Sequence, residues 1–455
     1  MINRIFKNKY LLTSIQFFTF IIFILLIYGA WGISTTDPKF AKILRNTNLS
    51  NLIVWSYWWP LIVATAILFG RFWCSICPIE LITSFFGRIG LKQKPNKFMK
   101  SGWFVTLFYA IILILGINTL AIHRIPHYMA LYMLSLFAIA VLIGLLYEKR
   151  TFCSYVCPIG YLLGLYSLVS RRKLGVLSQK TCESCKTKDC ISKNNHYKFI
   201  GRSCTSELYP AKIADGKDCI LCGQCYKACP HDNILIQKQK VGAKLIQNLK
   251  LSWAEITFFM IVSGFVVYEI LSNWSTSLDL LLILPNYINE LFNIPSQYTG
   301  TVKALTLYVI CPFIFYFAFA FIKKLISKES LKQSISQFVL SILPIAASMH
   351  LLKAILKTTS RLPYWDFALK DPNGVESAKI IMQNHDVLKN YAALPTFSLI
   401  INVLSILIPL LGLVLSFYVI SKQNFSNQLS KGISILVVLI YSSIFLSTLI
   451  MWQLN

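Results

Sequence analysis

Cys219-Ile220-Leu221-Cys222-Gly223-Gln224-Cys225-Tyr226-Lys227-Ala228-Cys229-Pro230 decides how the rest of the chain is read. The spacing is C-x2-C-x2-C-x3-C-P, which aims four thiolates at the iron corners of a cubane [4Fe–4S] cluster. Three closely spaced cysteines wrap one side of such a cube. The fourth, followed by Pro, leaves the local loop and ligates the other cluster of a two-cluster fold. Zinc sites also use C-x2-C pairs, but rarely place a third cysteine at x2 and a fourth at x3 before Pro.

A looser run lies upstream: Cys182-x2-Cys185-x4-Cys190, with Cys204 after thirteen intervening residues. On the crossed ferredoxin pattern, Cys182, Cys185, Cys190 and Cys229 hold one cluster, and Cys219, Cys222, Cys225 and Cys204 the other. In the uncrossed alternative each run closes its own cube. Crossing is preferred because Cys229-Pro230 has the ferredoxin form. Cys204 has no following Pro, so the identity of that fourth ligand stays open.

Further out, Arg71-Phe-Trp-Cys74-Ser-Ile-Cys77-Pro78-Ile79 is echoed by Arg150-Thr-Phe-Cys153-Ser-Tyr-Val-Cys157-Pro158-Ile159. Each pair follows two apolar runs, an internal repeat with a period of about eighty residues. Pseudo-twofold packing would gather four thiols, Cys74, Cys77, Cys153 and Cys157, at the inner membrane face. Three readings remain open for them: a third cluster, a redox-active dithiol, or small buried residues with each Pro capping the next helix. Cys311, the thirteenth cysteine, sits in an apolar run and reads as a core residue.

Of the 455 residues, 56% are hydrophobic and only 14% charged. Several apolar runs reach the length of a membrane span. Counting gives about nine: 11–33, 51–70, 102–122, 128–147, 252–272, 304–322, 335–355, 396–420 and 433–452. Arg4, Lys7 and Lys9 precede the first, which is too long for a signal peptide and reads as an uncleaved helix. Trp55, Tyr57, Trp58 and Trp59 form an interfacial belt at the outer end of the second. Residues 276–298 are expected to be interfacial, broken at Pro285. Residues 356–395 are expected to form a long outer loop.

The net charge is +26. In a membrane protein this excess reads as basic inner loops, not as a nucleic-acid surface. Residues 171–250 carry sixteen Lys/Arg against six Asp/Glu, an excess of ten. That face suits anionic lipid or an acidic docking partner. Cysteines in such segments face the reducing cytoplasm, which favours metal ligation over disulfides. No covalent haem or nucleotide motif is present. His123 and His127, at i and i+4, could ligate a metal or meet a quinol, although Pro126 interrupts the helix between them. His350 is a core or proton-path candidate, and Glu255 and Glu269 are the main acidic residues of the last helices.

A membrane module with C-x2/3-C-P after its second and fourth helices, followed by a two-cluster ferredoxin segment, resembles the NapH/NosR/CcoG group of membrane polyferredoxins. The likeness covers about residues 11–240 and is carried by Cys74, Cys77, Pro78, Cys153, Cys157, Pro158 and the Cys219–Pro230 run. It implies quinol-side electron donation to a respiratory reductase system, as in NapH and NosR, or metal handling during enzyme assembly, as in CcoG. The extracytoplasmic flavin domain of NosR has no counterpart expected here.

The sequence therefore predicts a polytopic α-helical membrane protein with a small α+β two-cluster ferredoxin-like cytoplasmic domain. Its parts are a four-helix module at 1–170, the ferredoxin-like domain at 171–250 and a membrane domain of about five helices at 251–455. The expected cofactors are two [4Fe–4S] clusters, a third if the repeat cysteines bind one, and quinone as exchange partner. No stand-alone catalytic residue is indicated: the chain reads as an electron carrier between the quinone pool or a membrane redox subunit and a respiratory reductase. The expected location is the bacterial cytoplasmic membrane, with the N-terminus and ferredoxin domain inside. The alternative function is maturation of a respiratory metalloenzyme through Cys74, Cys77, Cys153 and Cys157. A transporter built from the last helices ranks third.

Overall fold

The structure is a computed structural model, which describes residues 7–213, 216–246, 249–388 and 393–454. The expected flanking charge Arg4 lies outside these residues. Eight helices among them are long and apolar enough to cross a membrane: Leu11–Tyr28, Leu49–Phe69, Pro126–Leu146, Trp253–Leu271, Ser296–Ile326, Leu331–Lys370, Phe397–Lys422 and Gln428–Ile450. A ninth apolar helix, Trp103–Ile117, is shorter than the full span expected over 102–122. The chain turns from Asn118 onward, Ala121 takes a positive φ of 52°, and Pro126 opens the next helix. A proline fits that first turn because it has no N–H to leave unpaired.

Two other expectations change. The helix Ser275–Leu291 runs through Pro285 instead of breaking there. At 356–395 the long loop is largely replaced by helix: Leu331–Thr359 continues into it, followed by Trp365–Lys370 and Val375–Gln383. This segment docks on the helix Pro38–Thr47. Thr47 Oγ1 donates to the Gly374 carbonyl at 2.7 Å, and Leu49 N–H to the Pro372 carbonyl at 3.0 Å. Gly374 has φ +77°, and an added Cβ would lie 2.2 Å from the Asn48 nitrogen, so only glycine fits.

The chain divides into two compact units. The first comprises Met1–Trp31, Ile62–Val105 and Ala130–Gln247 and holds twelve of the thirteen cysteines. Its only sheet among the described residues is a two-stranded antiparallel pair, β1 (Arg172–Val176) and β2 (Ile234–Lys238), in register from Arg172 opposite Lys238 to Val176 opposite Ile234. Leu174, Cys190, Leu221, Cys225, Tyr226 and Ile234 form a buried cluster beside it. Each cysteine run of this segment therefore lies between the two strands in sequence.

The second unit comprises Gly32–Leu61, Thr106–Met129 and Asn248–Asn455. Its helix Trp253–Leu271 starts with a capping box. Ser252 Oγ accepts from Glu255 N–H at 3.2 Å, and Glu255 Oε2 accepts from Ser252 N–H at 2.8 Å. Glu255 is thus accounted for as a helix cap.

Candidate iron–sulfur centres

The repeat cysteines sit on matched turns that differ by one residue. Cys74 lies in the α-helical turn Phe72–Ile76, and Cys153 in the π-helical turn Phe152–Val156. A π-turn closes i→i+5, and here Cys157 N–H donates to the Phe152 carbonyl at 2.8 Å. The wider turn absorbs the extra residue that separates C-x3-C from C-x2-C. Both second cysteines are extended, and Pro78 and Pro158 follow at the first position of the next helix. The capping role expected for the prolines is therefore present beside the clustered thiols.

The four thiols lie within electrostatic reach of one another. Burial pushes the Cys77 thiol well above its usual value, and Cys153, Cys74 and Cys157 add to the rise. Cys157 is pushed up to about 12 by burial first and then by Cys153. Arg71 and Arg150 hold equivalent places, each three residues before its first cysteine. Burial opposes the charge of Arg71, while Cys74 and Asp218 raise its pKa. Burial likewise opposes Arg150, and Glu80, Cys153, Cys222 and Cys74 overcome it. Gly160 lets Arg71 pass: a Cβ there would meet Arg71 Nη2 at 3.0 Å and the Cys153 carbonyl at 3.1 Å.

Glu80, three residues beyond Cys77, is the hub of a buried charge cluster that the sequence reading did not single out. Arg150 Nη2 lies 3.1 Å from Glu80 Oε1, and Arg202 pairs with the same oxygen. Ser84 Oγ donates to Oε1 at 2.6 Å and Gln16 Nε2 donates to Oε2. Two guanidiniums share one carboxylate, so the cluster carries net positive charge. Arg150 Nε and Arg202 Nε have no hydrogen-bond partner among the described residues. A [4Fe–4S] cluster with four thiolates is a net anion, so this surplus of buried N–H donors and charge suits one at Cys74, Cys77, Cys153 and Cys157. The available signal was the one carboxylate in the twelve-residue helix Pro78–Ile89.

In the polar segment the structure brings cysteines together across the two runs. Cys182, Cys185, Cys190 and Cys229 line one cavity, with Pro230 and Asn233. Asn233 donates through Nδ2 to Cys182 Sγ at 3.0 Å and through its backbone N–H to Cys229 Sγ at 3.4 Å. Burial raises Cys190 to about 12, helped by Cys229, Cys182 and Cys185. Burial raises Cys219 to about 12 as well, with Cys204 and Cys222 adding to it. Cys225 is pushed well up by burial, then by Cys222, Cys219, Cys204 and Cys190. Leu221 takes a positive φ of 56° between Cys219 and Cys222, a left-handed turn that non-glycine residues rarely adopt.

Among the described residues no three His, Cys, Asp or Glu side chains converge on a single metal ion. Four thiolates on one zinc, at Zn–S of about 2.3 Å, would have to crowd together. A cubane is wider, because each thiolate takes a different iron.

The remaining candidates lie elsewhere. His123 and His127 do not share a helix: His123 is in the turn before Pro126 and His127 is in Pro126–Leu146. His127 Nδ1 accepts from Gly32 N–H at 3.1 Å. His350 is buried in Leu331–Thr359 beside Trp59 and Phe265. Cys311 opens the helix Cys311–Ile326 and is half-buried.

Two families of known domains match parts of this chain. Residues 51–97 and 129–176 each match one 4Fe-4S binding domain family, Fer4_5, and residues 214–235 match another, Fer4, also described as a 4Fe-4S binding domain. The first two matches contain the Cys74/Cys77 and Cys153/Cys157 pairs, and the third contains the Cys219–Pro230 run. The chain is thus a membrane protein that carries 4Fe-4S ferredoxin domains. An uncharacterized protein of Methanocaldococcus jannaschii is 25% identical over 174 residues, 37% of this chain and 64% of that protein. The match therefore spans less than two thirds of the relative's length. No solved structure matches.

Proposed function

We propose that the protein is a membrane-bound electron carrier with three [4Fe–4S] sites, built from Cys182, Cys185, Cys190 and Cys229; from Cys204, Cys219, Cys222 and Cys225; and from Cys74, Cys77, Cys153 and Cys157. When bound, such clusters supply one-electron redox chemistry. The observation that carries the reading is the succession of the three sets within one compact unit. Cys190 of the first acts electrostatically on Cys225 of the second, and Arg150 lies in reach of Cys222 of the second and of Cys74 and Cys153 of the third. Asn233 fixes two thiols of the first set, and Arg71 and Arg150 offset the negative charge of the third.

The membrane-side partner in this reading is the quinone pool or a membrane redox subunit, and the other partner is a respiratory reductase system. The NapH/NosR/CcoG resemblance supports it, as do the eight apolar helices. The basic excess of residues 171–250 supports a cytoplasmic position for the ferredoxin segment, in the bacterial cytoplasmic membrane.

Iron and acid-labile sulfide per chain, with EPR of the anaerobically reduced protein, test this. About twelve irons are expected from three cubanes, and about eight after Cys74→Ser together with Cys153→Ser. About eight irons in the parent, unchanged by those substitutions, would leave the repeat cysteines to thiol chemistry and favour the maturation role. Zinc without sulfide would end the redox reading.

A further inference from the structure

The second unit contains a cavity of about 630 Å³ that the electron-transfer reading does not use. Its wall gathers chain ends from several helices. Arg45 closes Pro38–Thr47, and Arg124 precedes Pro126–Leu146. Lys353, Lys357 and Arg361 come from the last turns of Leu331–Thr359 and the residues just beyond. Lys42 and Lys303 bring the cations to seven, against one carboxylate, Glu269, a net of six positive charges. Glu269 lies 3.7 Å from Lys353 and is the one carboxylate among the seven cations of the wall.

Three donors on the wall are left over. Arg45 Nε, Arg361 Nε and His123 Nδ1 are buried and have no hydrogen-bond partner among the described residues. His123 Nε2 already accepts from Arg124 Nε at 3.1 Å. Burial first, then the charges of Arg124 and Arg45, hold His123 well below its usual pKa. The ring is neutral, so with Nε2 accepting its proton sits on Nδ1, which is a donor without an acceptor. Burial first, then the neighbouring charges of Arg361 and Arg124, also lower Arg45 to about 10.

We propose that this cavity binds a ligand carrying two or more phosphate groups. Seven cations and three unpaired N–H donors ask for several oxyanion oxygens, and guanidinium forks match phosphate in particular. The volume is within the range of small-molecule sites. Lys42, Asn273 and Ser360 are exposed, so the cavity opens to the surface. Its lining residues cluster at helix termini, the depth of lipid headgroups. Free pyrophosphate-like ligands and diphosphatidyl headgroups share the required chemistry.

The test uses the purified full-length chain with two probes. Pyrophosphate is titrated calorimetrically at constant ionic strength, and cardiolipin retention is followed by native mass spectrometry. Pyrophosphate is expected to bind about tenfold or more tighter than monophosphate, and Lys357→Gln and Arg45→Gln each to weaken it about tenfold. Lys379→Gln, outside the cavity, should leave binding unchanged. Cardiolipin retained by the parent, lost in Lys357→Gln and not displaced by pyrophosphate would assign a lipid headgroup; pyrophosphate binding to cardiolipin-free protein would assign a free ligand. In ligand-free protein, Lys357→Gln should raise the thermal midpoint, since it relieves repulsion, whereas a structural ion-pair role predicts a lower one. Neither probe binding above a matched chloride control, or binding unaffected by both substitutions, overturns the proposal.

Discussion

Glu80 is the carboxylate at which the buried charges beside Cys77 meet. Its carboxylate receives Arg150, Arg202, Ser84 and Gln16, all buried or nearly so. Removing one partner of such a cluster strands buried charge, so Glu80→Gln is expected to cost about 3–5 kcal/mol of stability, read as a fall in the denaturation midpoint of the solubilised protein. Acid acts on the same group. Burial would raise the Glu80 pKa, but Arg150 and Arg202 outweigh it and hold it at about 2. A depressed carboxylate contributes fully above its unfolded value of about 4.5 and loses that contribution as the pH falls toward about 2. The parent should therefore lose stability across this window, and Glu80→Gln should show a flatter acid limb; identical limbs would sink the assignment. At this scale the sequence was legible for the cysteines, whose spacing is dictated by a cofactor. It was not legible for Glu80, Arg150 and Arg202, because a buried arginine reads like any other residue in a basic loop until packing removes its water.

At the scale of elements, the repeat was visible but its asymmetry was not explained. Cys74-x2-Cys77 uses an α-turn and Cys153-x3-Cys157 a π-turn, so one extra residue is stored in backbone winding. Deleting Ser154 should convert the wide turn to an ordinary one and rotate Cys153 away by about 100°. Iron is then expected to drop by about four per chain while the two other sets keep theirs. Full iron retention would mean that Cys153 is not a ligand. Strand pairing was legible only in outline, as an α+β segment. The register of β1 with β2 depends on contacts between residues some sixty apart, such as Arg172 and Lys238, which periodicity over five-residue strands cannot fix. The segment at 356–395 was misread for a related reason. Its short helices are too polar to announce themselves and are settled by docking on Pro38–Thr47 through Gly374.

For the whole molecule, composition carried most of the information. Apolar length alone gave the membrane class, and the count changed only where Trp103–Ile117 stops early. The polar segment is stabilised differently from the helices. A two-stranded sheet is marginal by itself, so bound metal would supply much of its folding energy. Oxidative removal of iron with chelator is expected to expose 186–193 to trypsin while the helical far-UV signal stays nearly constant. Protease resistance unchanged by demetallation would contradict that division of stability. One backbone contact sharpens the point: the Cys204 N–H donates to the Cys190 carbonyl at 2.8 Å. In the proposed grouping these two residues belong to different four-cysteine sets, so this peptide-to-peptide link would tie the anchor of one inorganic cube to the anchor of its neighbour. Damage by oxygen should then spread like a dropped stitch, with the brown colour of these two sites bleaching in an ordered, lagged sequence rather than as independent decays.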